Sequence, residues 1–200
     1  MIRLVDPDPR YQRSFLAAAD EFIGEGKAPY AGILVMPPDA SFAGVEFTRH
    51  GLEDPAEFAR FTSYVLAEAL PESPRPAGWV AYTVKWIVED DEYLGRVSLR
   101  HTLTEELLTW GGHIGYGVRP TARGRGVATA ALAQMLPIAA GMGIDSALIT
   151  CDVDNVPSRL TIERNGGVYE DTREGKLRYW VPTGGRARGV TSSATRRQNA

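Results

Sequence analysis

The chain has 200 residues, is 44% hydrophobic and 24% charged, and carries a formal net charge of −3. This is the profile of an ordinary globular protein, long enough for one domain with a real core. No apolar run approaches the ~18 residues of a transmembrane helix, the start lacks the apolar stretch of a signal peptide, and the single cysteine, Cys151, excludes an internal disulfide or a cysteine metal cluster. A cytoplasmic protein without metal is the expectation.

Ile2–Val5 is a short β-favouring run, ended by aspartates interleaved with prolines. Residues 10–26 space Phe15, Leu16, Ala19 and Phe22 as a helix does and close on two glycines. Residues 27–52, with two adjacent prolines and several glycines, predict a long, partly extended connection. A second helix is expected over 53–70, with Phe58, Phe61, Val65 and Leu66 on one side. The period then changes: 81–101 alternates and predicts two strands turning at 89–92, where the acidic run is a solvated hairpin. A short helix over 103–110 leads to a strand over 112–118, ended by Pro120. A helix over 127–140, a strand over 146–153, a helix over 155–167 and strands at 168–171 and 177–181 complete the order. The fold class is mixed α/β, one sheet with helices on both faces.

Residues 183–200 carry four arginines and no acid. They predict a disordered basic tail after a domain spanning 1–182. Without the tail, 18 basic residues face 25 acidic ones, a net of −7. So acidic a body argues against nucleic acid as a partner.

The stretch from Gly115 to Leu132 carries the chemistry. Val118 ends a strand, Gly124 and Gly126 give the backbone freedom for close approach, and a helix starts directly after them. The first N–H groups of that helix lack partners and its dipole adds positive charge, which makes a cradle for pyrophosphate. Arg119, Arg123 and Arg125 add charge at the rim, while Ala128 and Thr129 keep the first turn open. A Walker loop is excluded because the stretch has no lysine, and a dinucleotide fingerprint would need glycine at Thr129.

Arg123-Gly124-Arg125-Gly126-Val127-Ala128 resembles the R/Q-x-x-G-x-G/A signature of the GNAT superfamily of acetyl-CoA-dependent N-acetyltransferases. The element order is similar as well, over roughly residues 1–182, and "GGHIGYGVRP", "ITCD" and "RYWV" resemble a bacterial branch of predicted acetyltransferases. The resemblance implies a GNAT-type acyl-CoA N-acyltransferase fold with a mostly antiparallel central sheet. It also implies that Val118, Arg123, Gly124, Arg125, Gly126, Val127, Ala128 and Thr129 bind acetyl-CoA. The strand ending at Val118 would splay from its neighbour to receive the pantetheine arm, with a backbone N–H near Val118 facing the developing oxyanion. The segment 151–167 is similar to the family's downstream motif. It implies Asn155 and Ser158 as further coenzyme A contacts, although a plain helix cap explains Asn155 equally well.

The resemblance implies direct transfer of an acetyl group to a primary amine in a ternary complex, with no covalent enzyme intermediate. Many members carry a tyrosine as general acid seven residues after the asparagine, and here that position is Ile162. Tyr116 is the first substitute. His113 and His101 are the candidate bases, since neutral imidazole suits base work near pH 7. By strand alternation His113 and Tyr116 point to opposite faces. Cys151 fits a buried strand thiol better than a covalent carrier. An acceptor site is expected among the first two helices, their connection and the closing strands, with Tyr30, Phe42, Phe47 and Trp79 as candidate lining. A small-molecule amine or a protein amine would serve as acceptor, and a homodimer is compatible with such a domain. A non-catalytic acyl-CoA sensor, or an enzyme using another acyl donor, are the alternatives.

Overall fold

The computed structural model describes residues 1–27 and 33–184; Tyr30 and residues 185–200 of the tail lie outside it. Four strands, β1 (Ile2–Val5), β4 (Tyr82–Glu89), β5 (Glu92–Arg100) and β6 (Ile114–Val118), form an antiparallel sheet in the order β1-β4-β5-β6. A second antiparallel sheet runs β7-β9-β8, from β7 (Ser146–Asp152), β8 (Val168–Arg173) and β9 (Lys176–Pro182). The central sheet is therefore divided: β6 and β7 are edge strands of separate ladders.

Residues 27–52 hold more structure than expected. A two-stranded ribbon, β2 (Leu34–Met36) and β3 (Val45–Phe47), sits inside the connection. Three-residue strands fall below what period-two patterning can reveal.

Helices α1 (Gln12–Gly24) and α2 (Pro55–Ala67) cover one face of β4 and β5. Phe15 is the hub, with ring centroids 5.0–5.4 Å from those of Phe58, Phe61, Trp86 and Tyr93. Asp54 starts α2 by accepting from the N–H groups of Ala56 and Glu57 at 2.7 and 3.1 Å, and Pro55 at the first turn needs no partner. A short helix, α3 (Glu105–Thr109), joins β5 to β6. Helix α4 (Val127–Gly141) covers the opposite face through Ala131, Leu132, Met135 and Ala139, all fully buried. Its small residues let it lie close to the strands. Helix α5 (Val156–Arg164) packs beside α4 over β7 and β9. Among the described residues no helix is long and apolar enough to cross a membrane.

Candidate active site

Two cavities open at the divide between β6 and β7. The larger, about 650 Å³, is bounded by Val118, the 122–129 loop and helix start, and α5. The smaller, about 300 Å³, lies over β5, β6 and β7. Tyr116, Gly117, Asp152, Asn155 and Ser158 line both, so the divide is a passage shared by the two cavities.

The larger cavity has the features of an anion cradle. Gly124 and Gly126 take left-handed angles, φ 75° and 76°, and a side chain at either would meet nothing within 4 Å. Gly126 caps α4 without a side-chain hydrogen bond, and no acid occupies the first turn. The N–H groups of that turn are thus left to whatever sits in the cavity. Of the predicted contacts, Val118, Arg123, Gly124, Gly126, Val127, Ala128, Thr129, Asn155 and Ser158 all line it.

The arginines divide differently than the sequence suggested. Arg119 pairs with Glu21 on α1 and donates to the Tyr93 carbonyl at 3.2 Å. Arg125 pairs with Glu89 at 2.5 Å and does not line the cavity. Arg123 lines it, with Nε on the Val118 carbonyl at 3.1 Å and Nη1 on Glu25 at 2.8 Å. Glu21 collects Arg119 and both the N–H and hydroxyl of Thr121. Burial raises its pKa, but these donors outweigh burial and hold it below the ordinary value. The arginines act largely as struts that tie the loop to α1 and β4. Sequence reasoning missed Lys27, Arg164 and Phe22, which also line the cavity; nothing local in the chain marks them.

Asn155 caps α5 by accepting from the Ser158 N–H at 3.2 Å, so its capping role is present. Ile162 is fully buried against Gly167 and lines neither cavity. Tyr116 reaches across the divide, its hydroxyl 2.8 Å from Ser158 Oγ. Burial pushes its pKa up to about 12, so the phenol holds its proton at neutral pH.

Neither His101 nor His113 lines either of the two cavities. His113 is buried, accepts the Leu148 N–H on Nδ1 at 3.0 Å and meets Trp180 edge-on. Its own N–H donates to the Leu148 carbonyl at 2.7 Å, so the residue fastens β6 to β7 at the closed end of the divide. His101 bonds Thr83 Oγ1 through Nε2 at 2.9 Å. Burial lowers the pKa of both, with Arg100 adding to the effect at His113 and Arg75 at His101. Phe42 and Phe47 are buried; Phe47 packs on Phe61 and Tyr64, while Trp79 is exposed. Of the expected aromatic lining, Phe47 is thus core packing.

The family profile described as an acetyltransferase (GNAT) domain matches residues 41–168. The chain belongs to the GNAT acetyltransferase family. It is an acyltransferase by that membership, with the mixed α/β fold expected of the family. Solved GNAT structures share the fold. The microcin C7 self-immunity acetyltransferase MccE, in complex with acetyl-CoA and AMP, is 16% identical, with 90% of this chain and 92% of that chain covered and a TM-score of 0.57. RimJ of Mycobacterium smegmatis, in complex with CoA-disulfide, is 19% identical, covering 90% and 80%, with a TM-score of 0.55. RimL, a ribosomal L7/L12 alpha-N-protein acetyltransferase in complex with coenzyme A, is 16% identical over 90% and 93%, also at 0.55. No curated protein matches the chain.

Proposed function

We propose that the protein transfers an acetyl group from acetyl-CoA to a primary amine by direct attack in a ternary complex. One observation carries the reading: an uncapped helix start in the larger cavity is joined, through the β6–β7 divide, to a second cavity on the other side. The α4 N–H groups, with Arg123, Lys27 and Arg164 at the rim, suit a pyrophosphate. The edge of β6 facing β7 has main-chain polar groups outside any ladder, which suit the amides of an extended arm. MccE, RimJ and RimL are each described in complex with acetyl-CoA or a form of coenzyme A, which supports the same donor here.

Acetyl-CoA supplies a thioester that an amine attacks directly, releasing coenzyme A as a thiol. This chain's part is to hold both partners at the divide and to manage the leaving proton. Tyr116 is the proton donor in this reading, because its phenol stays protonated and lines both cavities. Ser158 orients it. Tyr116→Phe is expected to keep acetyl-CoA affinity and to lower kcat by about 10²-fold, the usual scale for a lost general acid. An unchanged kcat would leave Tyr116 as packing only.

Thermal unfolding with acetyl-CoA, using ATP and NAD as controls, tests the donor. At a hundred times its dissociation constant a ligand adds ~2.7 kcal/mol, which raises Tm by roughly 5–10 °C at this size. A rise with acetyl-CoA alone supports the reading, and no rise at saturation refutes it. A rise without turnover of any amine would keep the donor and refute the amine acceptor.

A further inference from the structure

Strand β5 places Arg96, Ser98 and Arg100 at alternate positions, all three lining the smaller cavity, while Val97 and Leu99 between them are fully buried. Across the ladder, Arg96 pairs with Gly117 and Ser98 with Gly115. The facing strand therefore offers no side chain there, and the cationic residues stand over a bare floor. A Cβ at Gly115 would lie 3.5 Å from Ser98 Oγ and 3.8 Å from Arg100 Nη1.

The charge of this cavity is one-sided. Its described lining holds Arg96, Arg100 and Lys176 against a single acid, Asp152, and Lys176 is already paired with Asp152. Arg100 is fixed in place by donating from Nη1 to the carbonyls of Gly111 and Gly112, both at 3.1 Å. Among the described residues no carboxylate lies within ion-pair distance of it. The segments outside the described residues contain no Asp or Glu. Burial, and after it the neighbouring Arg96 charge, lower the Arg100 pKa. Arg100 is thus a fixed guanidinium at a half-closed cavity with no carboxylate beside it, which is unfavourable unless an anion enters to balance it.

We infer that the acceptor is a small amine that also carries a carboxylate or phosphate group, held by Arg100 and Arg96 while its amine faces the divide at Gly117 and Tyr116. Guanidinium groups bind either anion through paired N–H donors, so the two share one chemistry. At about 300 Å³ the cavity fits a small molecule. The inference rests on the proposed acetyl transfer and adds the class of acceptor.

The test pairs acceptors that differ only in the anion: a panel of amino acids, each against its amide, with O-phosphoethanolamine against ethanolamine as the phosphate arm. Release of coenzyme A thiol is followed, and acetyl-CoA affinity is measured in parallel. The amide of an amino acid has the less basic amine, so reactivity alone favours the amide. The expected result is the reverse, an anionic member favoured by on the order of 10- to 100-fold in kcat/KM, mostly through KM. The preferred arm identifies the anion. Arg96→Gln and Arg100→Lys should each shrink that ratio, a change that loss of fold would not produce because both members would fall together. Equal kcat/KM for the two members would overturn the inference. So would turnover of peptides alone, or of no small amine, by a protein that binds acetyl-CoA. Failure to bind acetyl-CoA would instead refute the acetyl-transfer reading beneath it.

Discussion

Replacing Gly126 by glutamate is expected to abolish acetyl-CoA binding, raising Kd more than about 100-fold. The residue is the N-cap of α4 at φ 76° and lines the larger cavity, and an added Cβ would meet nothing within 4 Å. A carboxylate carried there would sit where the proposed pyrophosphate meets the first-turn N–H groups. It would satisfy those donors itself and repel the ligand. Backbone strain is a separate effect, since any L residue at a left-handed angle costs ~1–2 kcal/mol. Gly126→Ala isolates it: the alanine variant should lose Tm but less than about tenfold in affinity. Calorimetric titration of acetyl-CoA into both variants decides the matter. Unchanged affinity in the glutamate variant would move the anion site away from the α4 start.

The expected weight of Gly126 follows from how the loop is held. Arg119, Thr121, Arg123 and Arg125 are tied to Glu21 on α1, Glu25 just past its end and Glu89 on β4. Exposed pairs such as Arg125–Glu89 add little stability singly. Together they fix the loop, so in the proposed binding its N–H groups would be aimed beforehand, and preorganised donors need no rearrangement. A single residue that fills their place therefore has a large effect.

What the chain disclosed and what it withheld follow the range of the interactions. The glycine loop and the helix start were legible because Pro120, Gly124, Gly126 and the first turn of α4 lie within ten residues, where turn and capping chemistry act locally. The partners of Arg119 and Arg125 were not, because Glu21 and Glu89 are brought to them only by the tertiary fold. Phe47 misled for the same reason: it has no periodic context in the sequence, and only the β2–β3 ribbon lays it on Phe61. The histidines were singled out by chemical type, yet His113 serves as a fastener between strands. The cationic face of β5 was present in "RVSLR", where Arg96, Ser98 and Arg100 alternate with buried Val97 and Leu99. Period two carries that signal; its meaning required the glycines opposite.

Gly112→Ala is expected to cost more than about 3 kcal/mol, lowering Tm by roughly 6–12 °C. Gly112 sits at φ 57°, and an added Cβ would lie 2.3 Å from the Leu148 carbonyl oxygen and 2.8 Å from its carbon. Both are β7 backbone, so no side-chain adjustment relieves the contact. Leu148 is also the residue that His113 grips through the hydrogen bonds at 2.7 and 3.0 Å. Pushing β7 away breaks the closure between the two sheets at the one end where they meet, and the divide loses its fixed width. Acetyl-CoA affinity should fall with stability in this variant, although Gly112 touches neither the helix start nor the loop. Gly143→Ala is the control: its φ is 82°, nothing lies within 4 Å of the added Cβ, and only the left-handed strain of ~1–2 kcal/mol applies. Two melting curves and one titration distinguish the cases. If Gly112→Ala melts no lower than Gly143→Ala, the close approach at Leu148 is not what holds the sheets together.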